Sequence, residues 1–101
     1  MKMLIHAIFP NEPFNEYVRE GTVGEKIKKI LGFIKPAAAY FTEYGGRRSA
    51  MLIVDVRESS EVPVIAEPFF LVFDAEVHFH AVMTPEDLEK ASLDKLGQEW
   101  A

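Results

Sequence analysis

The feature that most constrains the fold is a pair of adjacent glycines, Gly45 and Gly46, in the middle of the chain. The stretches on either side, residues 37–44 and 47–56, are interpreted as β-strands whose side chains alternate between the two faces of a sheet. A two-residue hairpin turn requires positive φ angles at its central residues, and glycine adopts them without steric cost. The sequence therefore predicts a β-hairpin centred on the two glycines.

The segment before the hairpin predicts a strand followed by two helical segments. Residues 3–9 form a short apolar run that a proline ends, as expected for a strand with both faces at least partly covered. Residues 11–34 have helical periodicity, which Gly21 interrupts. Thr22 and Glu25 have the spacing of a capping box, in which each side chain accepts a hydrogen bond from the other residue's backbone N–H. We therefore expect a second helix to begin after Thr22.

The segment after the hairpin predicts a helix, a strand and a last helix. Ser59 or Ser60 is expected to cap the first of these helices, and Pro68 is expected to end or distort it, because proline lacks a backbone N–H. Residues 75–82 alternate as a strand does. Thr84, followed by a proline and two acidic residues, is typical of a helix N-terminus. The last helix then carries one apolar stripe, formed by Leu88, Leu96 and Trp100.

The predicted order of elements is β-α-β-β-α-β followed by a terminal helix, which is the ferredoxin-like pattern. This is an α+β sandwich, in which helices cover one face of a four-stranded antiparallel sheet with strand order 4-1-3-2. The sequence contains no repeat, low-complexity tract or linker. We therefore interpret residues 1–101 as a single domain.

The strand predicted at residues 51–56 is apolar on both of its sides. Met51 and Ile53 point to one side, and the residues between and after them, which are also apolar, point to the other. Helices on one face would leave the second face exposed, and an exposed sheet face is normally polar. We therefore expect an identical sheet to cover it in a homodimer. The dimer would also provide an interior that 101 residues are too few to enclose alone.

Composition excludes several classes of protein. The chain has no cysteine, which excludes disulfide frameworks, thiolate nucleophiles and zinc sites built on sulfur. Its net charge is −5, and it has no basic stripe, so nucleic acid is not an expected partner. No apolar run is long enough to cross a bilayer, and no glycine-rich phosphate loop follows a strand. We expect a cytoplasmic protein with no cofactor and no membrane partner.

Five short segments in the second half of the chain form a recognisable series: Gly45-Gly46-Arg47-Arg48, Val54-Asp55-Val56, Ser59-Ser60-Glu61, Glu67-Pro68-Phe69-Phe70 and Asp74-Ala75-Glu76-Val77. The region from 36 to 83 that contains them resembles the dimeric α/β-barrel proteins, and most of all the muconolactone-isomerase-like proteins and neighbouring domains of unknown function. The resemblance implies a homodimer whose sheets pack face to face, with a pocket between each sheet and its helices or at the barrel mouth. The superfamily includes isomerases, monooxygenases, haem-degrading enzymes and ligand-sensing regulators, so the resemblance selects no reaction and transfers no catalytic residue.

The three histidines of the chain, His6, His78 and His80, are the main candidates for chemistry. His78, His80 and Glu76 share one side of the last strand, because side chains alternate along a strand. The first strand is a neighbour of the last, but a shift in register by one residue would turn His6 to the other face. Three interpretations stay open. The histidines are silent polar positions, they line a pocket that binds or protonates a small organic acid or ketone, or they bind a metal ion with Glu76.

Arg47 and two aromatic residues complete the candidate site. A guanidinium binds a planar carboxylate through two hydrogen bonds, and aromatic side chains at a barrel mouth suit an aromatic ligand. The candidate catalytic residues are His78, His80 and Glu76, the candidate substrate-binding residues are His6, Arg47, Tyr40 and Phe41, and no metal ligand is assigned. We expect a homodimer that binds a small acidic or aromatic molecule and acts by isomerase-type proton transfer. The alternative is a homodimer that binds a ligand without catalysis or has a structural role.

Overall fold

The computed structural model describes residues 1–101 and contains four strands and five helices. In chain order the elements are β1 (Lys2–Phe9), α1 (Asn11–Glu20), α2 (Val23–Ile34), β2 (Ala38–Tyr44), β3 (Arg47–Asp55), α3 (Glu61–Phe73), β4 (Glu76–Ala81), α4 (Pro85–Lys90) and α5 (Leu93–Glu99). The strands form one antiparallel sheet in the order β2-β3-β1-β4. The predicted α+β class and strand order are confirmed.

The hairpin between β2 and β3 forms where the glycines predict it. Gly45 and Gly46 have φ angles of 59° and 81°, so both have the positive values that the tight turn requires. β3 then pairs with β1 along its whole length, and this pairing sets the register of the central strand. His6 consequently lies directly opposite Met51 on β3 and His78 on β4.

Helices α1, α2 and α3 lie against one face of the sheet, which we call the covered face. Ile5 and Leu52 are directly opposed on this face and are fully buried. Aromatic rings fill the space below the helices, with the Phe73 ring centroid 5.0 Å from that of Phe9 and 5.2 Å from that of Phe14. This packing is the main hydrophobic core of the chain.

The break between α1 and α2 lies at Gly21, as predicted, but its hydrogen bonds differ from the prediction. Gly21 has a φ of 74°, and the Thr22 N–H then donates to the Tyr17 carbonyl at 2.9 Å, which closes the end of α1. The Thr22 hydroxyl also donates to the Tyr17 carbonyl, at 3.5 Å, and caps no N–H of α2. The predicted capping box with Glu25 is therefore wrong, because Thr22 helps to end α1.

Pro68 does not end α3, which continues to Phe73. Proline removes the hydrogen bond to the carbonyl one turn earlier, here that of Val64. Val64 is 52% exposed, so water can hydrate the region of the freed carbonyl. Exposure of this side of α3 explains why the helix continues through its proline.

The turn before α3 is held by a carboxylate and not by a serine side chain. Ser60 stands at the N-cap position, as predicted, but its side chain makes no capping hydrogen bond. Glu61 accepts hydrogen bonds from the N–H groups of Arg57 and Glu58, at 2.6 and 2.8 Å. These bonds favour the charged carboxylate, so they lower the pKa of Glu61.

The C-terminal segment begins as predicted and then differs. Thr84 and Asp87 form a capping box, with reciprocal hydrogen bonds of 3.1 and 3.2 Å between each side chain and the other residue's N–H. The prediction of a single last helix is wrong, because α4 ends at Lys90 and Ser92, with a φ of 55°, separates it from α5. None of the helices has the length and apolar character needed to cross a bilayer.

Candidate functional site

The second face of the sheet, which we call the open face, is covered by no helix. All three histidines lie on it, because in the pairing of β1 with β4 His6 is opposite His78 and Leu4 is opposite His80. Glu76 lies on the same face, opposite Ile8. Directly opposed side chains in an antiparallel sheet have Cβ atoms about 5 Å apart. The register therefore brings His6, which the sequence could not place, beside the predicted catalytic residues.

His6 is the buried member of this group. It is 7% exposed, and its Nε2 atom has no hydrogen-bond partner. The Tyr44 ring meets the imidazole edge-on, with ring centroids 4.9 Å apart. Burial lowers the pKa of His6, nearby His78 and His80 lower it further, and Glu76 opposes the shift. At neutral pH His6 is therefore a neutral imidazole.

His78 and Glu76 form a hydrogen-bonded pair on β4. The His78 Nε2 atom lies 2.5 Å from Glu76 Oε2, and the two side chains are 47% and 65% exposed. The carboxylate orients the imidazole through this hydrogen bond. The His80 ring is nearly parallel to that of His78 at a centroid distance of 6.4 Å. A buried neutral imidazole thus lies next to an exposed imidazole that a carboxylate orients.

The predicted substrate-binding residues divide between the two faces. Tyr40 is opposite Met51, in the same cross-strand row as His6, and Arg47 lies on the open face of β3 opposite Tyr44. Phe41, by contrast, is opposite Ala50 on the covered face. The structure therefore brings Tyr40 and Arg47 to the histidine face and places Phe41 on the other one.

Two features separate Arg47 from its neighbour Arg48. The Arg48 guanidinium donates to the Asn15 side chain at 2.7 Å and lies 4.4 Å from the Phe14 ring centroid, so it holds α1 against the sheet. Arg47 is exposed and makes no such contact. It is the arginine on this hairpin that is free to bind an anion.

The centre of the covered face contains no space for a ligand. The cavity between sheet and helices has a volume of about 10 Å³ and only apolar side chains around it, including Phe9, Phe69 and Phe73. Such a volume holds at most one water molecule. The pocket that the resemblance implies between the sheet and its helices is thus filled by aromatic rings.

The side chains also bear on the metal interpretation. No group of three or more histidine, aspartate or glutamate side chains is arranged to hold a metal ion. Glu76 and His78 instead bind each other. The interpretation of the histidines as a metal site therefore has no support in this geometry.

Sequence reasoning missed Tyr44 as part of the site. Its ring reaches His6 across β3, where Ser49 lies between β2 and β1 and is 1% exposed. The small serine leaves room for the ring above it. The available signal was the two-residue spacing of Tyr40, Thr42 and Tyr44, which places all three on one side of β2.

Comparison with known protein families finds none that matches this chain, and comparison with curated proteins finds no match either. The class that the structure itself defines is an α+β protein with a four-stranded antiparallel sheet, helices on one face and a histidine-containing open face.

Proposed function

We propose that the chain acts as a homodimer whose open faces meet, and that this dimer binds a small acidic or aromatic molecule beside His6 and His78. Such an arrangement is the one that dimeric α/β-barrel proteins use. The open face supports it, because Tyr40 and Tyr44 are 67% and 56% exposed there and the same face carries half-buried Leu4 and Ile53. An apolar face of this kind is stabilised by burial against a second one.

The observation that carries the proposal is the unpaired Nε2 atom of buried His6. A buried polar atom without a partner is destabilising by about 1–3 kcal/mol, so most such atoms in proteins are paired. Because this atom is shielded from solvent in the single chain and the Tyr44 ring lies against the imidazole, a bound molecule would displace that ring and supply the missing partner with its own donor or acceptor. The same atom would then stand beside the reacting part of that molecule.

The chemistry that suits this pair of histidines is transfer of a proton between two atoms of one molecule. Neutral His6 accepts a proton from a carbon next to a carbonyl group, and His78, oriented by Glu76, returns a proton to a second carbon. Transfer of the proton from His6 to His78, which lies opposite it on β4, then restores both imidazoles, so the number of protons is unchanged, as an isomerisation requires. Arg47 binds the carboxylate of the substrate, and the rings of Tyr40 and Tyr44 contact its apolar part.

A second candidate function, a homodimer without catalysis, has a specific observation in its favour. The centre of the covered face is filled, and the chain itself builds no enclosed cavity above His6. In this alternative a polar group of the second copy pairs with His6. The protein would then be a structural or ligand-binding dimer.

The binding test uses benzoate as the probe and NMR signals of the three imidazoles as the readout. Benzoate should shift the His6 and His78 signals in a saturable way. Benzyl alcohol, which lacks the carboxylate, and cyclohexanecarboxylate, which lacks the aromatic ring, show which part is recognised. The double variant His78→Ala/His80→Ala should lose binding and still form the dimer.

The two arginines of the hairpin supply a matched pair of variants. Arg47→Ala should weaken benzoate binding about tenfold, the effect of losing about 1.4 kcal/mol of charge-assisted hydrogen bonding. Arg48→Ala should leave it unchanged, because Arg48 bonds to Asn15. Unchanged binding in the double histidine variant would refute the site.

Catalysis is tested separately from binding. Levulinate carries both a ketone and a carboxylate, and the wild-type protein should accelerate exchange of its protons next to the ketone with deuterium oxide. His6→Phe should abolish the acceleration. Binding of benzoate without any acceleration of exchange would favour the non-catalytic alternative.

A further inference from the structure

The last nineteen residues, 83–101, form an arm that leaves the rest of the chain. Every residue from 85 to 101 is exposed, although the arm contains both α4 and α5. The molecule consequently measures 59 × 28 × 19 Å and has a radius of gyration of 17.1 Å. A compact chain of this length has a radius of gyration of about 13 Å. The arm accounts for the elongated shape.

The arm carries large apolar side chains that have no cover. Leu88 is 46% exposed, and Leu93, Leu96 and Trp100 are 55%, 41% and 81% exposed. At 100° per residue, the last three lie within an arc of about 60° on one side of α5. Isolated helices as short as these are unstable in water. An apolar stripe on two such helices indicates that the arm is stabilised by docking against another surface.

A groove between α2 and α3 has the complementary character. Its volume is about 510 Å³, within the range of pockets that hold large organic groups. Its apolar lining includes Ile30 and Pro68, together with Phe33 and Leu71, which are 60% and 81% exposed. Lys26 and Lys29 also line it. The groove is therefore apolar and basic.

The charges of the two surfaces are opposite. Residues 83–101 contain five acidic and two basic side chains, and Asp94 and Glu99 flank the apolar stripe of α5. Lys26 and Lys29 provide positive charge at the groove. Opposite charges around an apolar contact favour one orientation of docking and disfavour others.

We infer that the arm of one protomer docks in the α2–α3 groove of a second copy of this chain. Residues 85–101 are all exposed, so the helices of the arm do not lie in the groove of their own chain. A second copy offers the same groove. The stripe of α5 enters the apolar part, and its acidic flanks meet Lys26 and Lys29.

Docking of the arm requires a second copy of the chain, as the proposed function does, but it uses a different surface and involves no histidine. The two are therefore tested separately. Trp100 is the one tryptophan of the chain, so its fluorescence reports the arm alone. As protein concentration rises, Trp100 emission should move to shorter wavelength, because docking removes the indole from water. Emission that stays at the solvent-exposed wavelength at every concentration would overturn the inference.

Two lysines of α2 provide matched variants for this measurement. Lys29→Glu should raise the midpoint concentration of the fluorescence change about twofold to fivefold, as loss of a surface charge pair does. Lys28→Glu makes the same charge change on the same helix outside the groove and should leave the midpoint in place. The His78→Ala/His80→Ala variant should also leave it in place. Equal effects of the two lysine variants would overturn docking at this groove.

Cross-linking distinguishes a second copy from docking within one chain. The chain has no cysteine, and a Cβ added at Gly97 meets no atom within 4 Å, so Gly97→Cys fits without displacement. Mixing a Gly97→Cys chain with a Lys29→Cys chain under mild oxidation should give a covalent pair. The mixture with a Lys28→Cys chain is the control. A cross-link that forms only within a single doubly substituted chain would overturn the inference.

Discussion

The two faces of the sheet are built from the same four strands but differ in what lies against them. On the covered face, Ile5 and Leu52 are fully buried beneath the aromatic rings of the helices. On the open face, His6 is buried with an unpaired nitrogen, and Ile53 is half-buried with no helix above it. The side chains of the covered face pack against helices of the same chain, whereas the open face contains a polar atom without a hydrogen-bond partner and an apolar side chain that no helix covers.

This difference separates stability from binding in the molecule. A substitution on the covered face should act on the folding of each chain, because its contacts all lie within that chain. A substitution on the open face should act mainly on the proposed dimer, on its proposed ligand or on the protonation of His6.

Phe73→Ala should have the largest effect on stability. Phe73 is fully buried and contacts the rings of Phe9, Phe14 and Tyr17. Its truncation should lower the free energy of unfolding by about 3–5 kcal/mol, because it leaves a cavity that aromatic neighbours cannot fill. Urea denaturation followed by circular dichroism measures the loss. A loss below about 1 kcal/mol would mean that this core is loosely packed.

Ile53→Asp should break the dimer while leaving the single chain folded. Ile53 lies on the open face opposite Leu4 and Ala38, where a second sheet would bury the new charge. The dissociation constant should rise about a hundredfold or more, as burial of an unpaired charge requires. Analytical ultracentrifugation measures it. Val18→Asp, at an exposed position of α1, is the control and should leave the dimer intact.

Acidification should destabilise the protein through His6. Its pKa in the folded chain lies below the ordinary value of 6.5, so just below pH 6.5 the unfolded chain binds a proton that the folded chain does not. The free energy of unfolding should therefore fall as pH drops through this range, by at most about 1.4 kcal/mol per pH unit for this single proton. Urea denaturation at a series of pH values measures the slope. The free energy of unfolding of His6→Phe should depend less steeply on pH, whereas an unchanged slope would mean that His6 does not cause the pH dependence.

Local sequence patterns predicted the strands of the sheet correctly but did not predict how the helices behave at Thr22 and Pro68. Gly45 and Gly46 predict the hairpin because the positive φ angles are required whatever surrounds the turn. Pro68 does not end α3, which continues to Phe73. The carbonyl that loses its hydrogen bond belongs to Val64, which is exposed to water, and only the tertiary structure determines that exposure. Thr22 has both the spacing of a capping box and the position after a helix-ending glycine, and the second role prevails.

The candidate site divides in the same way. Alternation along β4 places Glu76, His78 and His80 on one face, and the register confirms this. The face of His6 depends on how β1 pairs with β3 and β4, and no local pattern in residues 3–9 specifies that pairing. Contact between Tyr44 and His6 joins residues 38 positions apart in the chain, across an intervening strand.

The smallest expected effect concerns the ring that covers His6. Tyr44→Ala should raise the pKa of His6 toward its ordinary value, because removing the ring 4.9 Å away admits water to the imidazole and reduces the desolvation that lowers the pKa. The global stability should change little, since Tyr44 is 56% exposed and contacts no residue of the main core. An NMR titration of the His6 ring protons measures the pKa, with Tyr40→Ala as the matched control on the same face of β2. Equal shifts in the two variants would mean that the open face is desolvated as a whole, and an unchanged pKa in Tyr44→Ala would assign the shift to His78 and His80.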